Sequence, residues 1–160
     1  MNARKFAAVA AGVAVAVGAT NGPLASADPT VAGFGTQLRA ADIDGAGVGG
    51  YTVHDLQPSG TDVLSVPVIG DVPLAGVLWE ARTDVDAVAG SVVPAMQHFS
   101  ARTSEGQSYR VLVQALAPDL GVSPLSEGGA SDGKIYFDVT GPAPTAVSYD
   151  DGQSRLVWSG

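Results

Sequence analysis

The 160-residue sequence contains no cysteine. That absence removes disulfides, thiol nucleophiles, thiolate zinc sites and iron–sulfur clusters together. Lysine is almost missing as well: Lys5 and Lys134 are the only two. No glycine-rich loop carries the lysine of a phosphate cradle, and the glycines of Asp44 to Gly50 are followed by no helical pattern, so a nucleotide site has no support. Aromatic residues make up 6% of the chain. There is no heptad pattern, no internal repeat and no apolar stretch of membrane length. The longest unbroken run of Ala, Val, Gly and Phe, Phe6 to Ala19, has 14 residues, short of the roughly 20 that a spanning helix needs.

That run sits where a secretory signal peptide would put it. Arg4 and Lys5 form a positive start, the Ala-, Val- and Gly-rich run follows, and Asn21-Gly22-Pro23 breaks it. Ala25-Ser26-Ala27 then offers small residues to a signal peptidase. Cleavage is expected between Ala27 and Asp28, with residues 28–160 forming one exported, soluble domain. A domain of about 130 residues buries around two thirds of its unfolded surface and can stand without disulfides. Loss of Arg4 and Lys5 leaves six basic residues against 16 acidic ones. A surface of that sign repels phosphate backbones and anionic lipid heads, so neither nucleic acid nor membrane is an expected partner.

Glycine and proline punctuate the rest of the chain, and between them apolar residues recur at period two, not 3.6. The pattern predicts an all-β fold of antiparallel strands. Its clearest strand is Val77 to Ala87. Val77, Trp79, Ala81, Thr83, Val85 and Ala87 would face inward, and Leu78, Glu80, Arg82, Asp84 and Asp86 outward. Tyr109, Val111, Val113 and Ala115 mark a second inner face, with Arg110 opposed to it. Ile135, Phe137 and Val139 mark a third, opposed by Lys134, Tyr136 and Asp138. Phe99 and Ala101 should point inward from a strand ending at Arg102. Phe34 with Leu38, and Tyr51 with Val53, mark two more. Thr145 to Tyr149 and Ser154 to Trp158 read as a closing hairpin around Asp151-Gly152, a dipeptide suited to turns that need positive φ. Residues 44–50, 58–73 and 118–133 read as loops.

Chemistry-bearing groups are sparse. His54 and His98 are the two histidines, both expected on exposed strand positions. His54-Asp55 resembles part of a catalytic triad, but neighbouring residues on a strand point to opposite faces, so the two cannot orient one another. No Gly-x-Ser-x-Gly elbow accompanies them. Glu80, Asp84 and Asp86 share a strand face, yet a tight Ca²⁺ site takes 6–8 oxygens from a wrapping loop. Surface charge pairing with Arg82 is the expected role of that face. Asp150-Asp151-Gly152 is a turn before it is a ligand pair. No catalytic, cofactor-binding or metal-ligating residue is therefore assigned, and no cofactor is expected.

Four segments resemble a known family: Leu74 to Ala81 (LAGVLWEA), Gly90 to Ala95 with Phe99 to Thr103, Tyr109 to Leu112, and Gly133 to Pro142 (GKIYFDVTGP). They are similar to the small secreted immunogenic proteins of mycobacteria and related actinobacteria, a domain of unknown function. The resemblance runs from about Leu74 to Val147 and closes at Trp158, and it is thinner from Phe34 to Gln57. It implies an immunoglobulin-like antiparallel β-sandwich of two sheets without the inter-sheet disulfide, exported and recognised as an antigen. It carries over no site residues. Trp79 becomes the candidate for the central core aromatic. The function expected on these grounds is an extracellular binding module, monomeric and not an enzyme, whose partner is a protein or cell-surface ligand. A secreted enzyme using surface carboxylates is the alternative.

Overall fold

The computed structural model describes residues 28–42, 45–67, 70–113, 120 and 123–160. The expected signal segment, including Ala27, lies outside the described residues. So does Ala115. Asp28 is exposed two residues ahead of the first strand.

Twelve strands alternate between two packed sheets and a small hairpin: β1 Thr30–Gly33, β2 Gln37–Ala41, β3 Gly47–Val53, β4 Gln57–Pro58, β5 Leu64–Val66, β6 Gly70–Val72, β7 Val77–Gly90, β8 Phe99–Arg102, β9 Ser108–Arg110, β10 Ala130–Val139, β11 Ala146–Asp150 and β12 Arg155–Ser159. One sheet has the order β1-β12-β11-β8-β9, the other β10-β7-β3-β2 with β4 added beside β7, and β5 pairs with β6 alone. The chain crosses between the two large sheets after β1, after β7, after β9 and after β10, which makes the architecture an immunoglobulin-like sandwich. All the strand pairs are antiparallel except β1 with β12.

The period-two faces meet between the sheets. Ala81, Val85, Phe99, Ala101, Tyr109, Val111, Ile135, Phe137, Val139, Val147, Leu156 and Trp158 form one buried cluster. At roughly 25 cal/mol per Å² of apolar surface removed from water, such a cluster is the main force holding the two sheets together.

Several sequence expectations need correction. Trp79 is only partly buried at the margin of the core, whereas Trp158 is fully buried at its centre. Val77 and Val113 are exposed, at 54% and 49%, so the first pattern loses its first member and the second is buried at Tyr109 and Val111 among the described residues. The strand expected around Phe34 and Leu38 is two strands, β1 and β2, with Phe34 in the turn between them. The outer face of β7 is not uniformly wet. Within residues 58–73, β5 (Leu64–Val66) pairs with β6 (Gly70–Val72), and Leu78 is buried against Leu64, Val66, Val72, Leu74 and Leu112. Glu80 is 9% exposed instead of open to water. Asp138 accepts the amides of Ala75 and Gly76, both at 2.8 Å, and so ties this segment down.

The glycine run at residues 44–50 is not a loop along its length. Gly47 to Gly50 belongs to β3. Close backbone approach explains the composition. Gly47 lies opposite Gly90, and a Cβ there would stand 2.3 Å from the Ser91 carbonyl oxygen. Gly90 has φ +64° and no room for a Cβ beside the Ala46 carbonyl at 2.2 Å. Within 118–133, Leu120 is buried at 1%, Leu125 bridges to Val92, and β10 begins already at Ala130.

Candidate functional site

The solvent side of the β2-β3-β7-β10 sheet gathers most of the chemistry-bearing side chains. Strand register brings them together. Thr52 lies opposite Asp84 and Asp84 opposite Asp132; one step along, Arg82 lies opposite Lys134, and one step the other way, Asp86 lies opposite Ala130. Like charges therefore face each other in two successive rows, Asp84 with Asp132 and Arg82 with Lys134. Directly opposed like charges destabilise a strand pair. The short side chain of Ala130 leaves a hollow of about 320 Å³ lined by Arg82, Asp84, Asp86, Ala130, Ser131 and Asp132.

Neighbouring groups hold the rim. His54 Nε2 meets Asp84 Oδ2 at 2.6 Å. Gln37 Nε2 donates to Asp86 Oδ2 at 2.7 Å. Lys134 Nζ donates to Glu80 Oε1 at 2.9 Å, and this bond holds the ammonium above its ordinary pKa. The second oxygen of Asp84 is buried and has no hydrogen-bond partner among the described residues. Such orphaned acceptors are rare in folded proteins and call for an explanation. In place of the pairing expected for Arg82, Glu80 forms an ion pair with Lys134 and Asp84 a hydrogen bond with His54.

Asp55 does not orient His54. Its Oδ1 accepts the Arg82 amide at 2.9 Å. His54 follows β3 and is not on a strand; the partner that does orient it, Asp84, comes from β7, 30 residues away. Nothing local in the sequence signals that pairing, because it depends on register. Among the described residues the ring's hydrogen bond runs to this carboxylate and not to a hydroxyl. His98 is half-buried and not on a strand: it ends a single 3-10 turn, Met96–His98, directly before β8, and packs edge-on against Tyr149 of β11 at 5.8 Å. Asp150 and Asp151 act as the turn predicts: Asp150 Oδ1 accepts the Gly152 amide, and Asp151 Oδ1 accepts those of Gln153 and Ser154.

A second titratable cluster lies inside the sandwich. Tyr51 of β3 and Tyr149 of β11 stack at 4.7 Å with 28° between planes, and Phe99 meets both edge-on. The Tyr149 hydroxyl donates to Asp151 Oδ2 at 3.2 Å. Burial pushes both phenols up from 10.0, and for Tyr149 the adjacent Tyr51 and Asp151 add to the rise. The unfolded phenols ionise first as pH rises, so the folded state then binds more protons than the unfolded one. The contribution of these phenols to stability should be constant below about pH 10 and fall above it. Urea midpoints from pH 7 to 11 check this, and Tyr149→Phe should flatten the alkaline decline.

Fold and surface define a small two-sheet β-sandwich with a charged outer sheet face. The chain belongs to the family described as Domain of unknown function (DUF1942), which it matches over residues 29–158. It is 42% identical over 154 residues to Immunogenic protein MPT63 of Mycobacterium tuberculosis, covering 94% of this chain and 93% of that one. Immunogenic protein MPB63 of Mycobacterium bovis matches with the same figures. The crystal structure of MPT63, a secreted protein from Mycobacterium tuberculosis, superposes with a TM-score of 0.72 at 42% identity over 84% of this chain and all of that one. The yjhA protein of Bacillus subtilis shares the fold alone, with a TM-score of 0.53 at 12% identity over 79% of this chain and 96% of its own.

Proposed function

We propose that the chain is an exported, monomeric binding module that recognises a protein or cell-surface ligand through the outer face of β7 and β10. The like-charged row of Asp84 and Asp132 beside the hollow carries this reading. A fold selected for stability alone would not oppose carboxylates there. A ligand that brings a cationic or hydrogen-bond-donating group between them would relieve the repulsion and satisfy the orphaned Asp84 oxygen. Arg82, at the other end of the hollow, would take an acceptor of the same ligand. The module needs no cofactor and performs no catalysis.

Residues 28–160, immobilised and exposed to envelope and host-surface extracts, should retain a partner that Asp84→Asn with Asp132→Asn releases at least tenfold faster. Equal retention by a folded double variant would overturn the reading. The His54–Asp84 pair favours a second reading, a hydrolase with His54 as base. An activity against ester, peptide or glycoside substrates that His54→Ala removes would establish it instead.

Export belongs to the same proposal. Protein recovered from culture medium should begin at Asp28 on N-terminal sequencing. A secreted form that retains Arg4 and Lys5 would contradict cleavage at Ala27.

A further inference from the structure

The stacked tyrosines have a geometry that neither the core nor the outer face requires. Tyr51 sits in one sheet and Tyr149 in the other, so their contact spans the interior of the sandwich. Their ring centroids lie 4.7 Å apart with 28° between the planes. Rings stacked at that separation need little movement to bring one ortho carbon of each together. The rings are 3% and 2% exposed, which shuts out a tyrosine from another molecule. Asp151 stands at the Tyr149 hydroxyl, ready to receive its proton. We propose that Tyr51 and Tyr149 form an oxidative cross-linking site, where a small one-electron oxidant joins the two rings into dityrosine and staples β3 to β11.

The chemistry balances with two electrons. Each phenol gives one electron to the oxidant and releases one proton, Tyr149 towards Asp151 and Tyr51 to water. The two phenoxyl radicals pair at their ortho carbons and form one carbon–carbon bond. The hydrogens on those carbons leave as protons while protons return to the two oxygens, which restores both phenols. The product has two hydrogens fewer than the starting chain. With persulfate as oxidant, the two electrons convert it into two sulfates and the protons pass to the buffer. The link would join the two sheets of a sandwich that has no cysteine for a disulfide.

The other two tyrosines serve as internal controls. Tyr109 donates its hydroxyl to the Pro142 carbonyl at 2.9 Å, and Tyr136 is half-buried on the outer face. Residues 28–160 would be illuminated with a ruthenium tris-bipyridyl complex and persulfate, then analysed by intact mass, dityrosine fluorescence and peptide mapping. The expected product is a monomer lighter by two hydrogens, with the Tyr51 and Tyr149 peptides joined. Tyr136→Phe should leave that yield unchanged, and Tyr149→Phe should abolish it. The native chain oxidised in strong urea should lose the link at least tenfold, which keeps the test decisive should Tyr149→Phe fail to fold. Links confined to Tyr136, links only between molecules, or equal yield in urea would each overturn the proposal.

Discussion

Trp158→Ala should lower the free energy of unfolding by about 3–5 kcal/mol, the range for deleting a large buried aromatic ring. Trp158 is fully buried on β12, with its ring near-parallel to Phe99 at 6.1 Å. Its Nε1–H donates to the Thr36 carbonyl at 2.8 Å and so fastens the segment between β1 and β2 to the closing strand. Alanine would leave both a cavity and a carbonyl without its donor. Trp158→Phe keeps most of the apolar volume and should cost less, about 1–3 kcal/mol, mainly through the lost bond. Urea unfolding of the three proteins measures both steps. A cost under about 1 kcal/mol for the alanine variant would remove Trp158 from the centre of the core.

Phe137→Ala should cost a similar amount, about 3–5 kcal/mol. Phe137 is fully buried on β10, opposite Trp79 on β7 and bridged to Val111 on its other side. Asp132, five residues earlier on the opposite face, is exposed. Asp132→Ala should therefore fall within about 0.5 kcal/mol of the native protein. The contrast between the two variants tests the register of β10, because a slip of one residue would exchange their faces.

Local alternation made the inner halves of β7, β8, β10, β11 and β12 legible. Each strand packs one apolar face on the core, and that requirement is written residue by residue. What could not be read locally depends on distant chain. Glu80 looks solvent-exposed in an alternating strand until the β5–β6 hairpin folds over its neighbour Leu78 and Lys134 arrives from β10. Gly47 to Gly50 looks like a loop because its glycines signal freedom, whereas here they permit close approach: Gly47 to Ser91 and Ala89, Gly49 to the Tyr51 ring, and Gly50 to Gln37 and Val88. Trp79 lies on the clearest strand but near its end, and the ring that fills the centre comes from the closing hairpin.

The candidate surface was legible only in part. The shared face of Glu80, Asp84 and Asp86 follows from alternation on one strand. The opposition of Asp84 to Asp132 and the His54–Asp84 pair follow from registers across β7 with β10 and after β3. Sequence distance hides both, since a shift of two residues in either register would preserve every inner face and separate these groups.

Carboxyl footprinting of the module with its captured partner tests the recognition surface most directly. Carbodiimide-driven labelling would be compared between the free and bound states. Labelling of Asp84, Asp86 and Asp132 should fall severalfold on binding, while Glu105 and Asp150, exposed on the opposite sheet and its connections, should label as before. Protection at Glu105 and Asp150 with unchanged labelling of the β7–β10 face would contradict the account and move recognition to the other side of the sandwich.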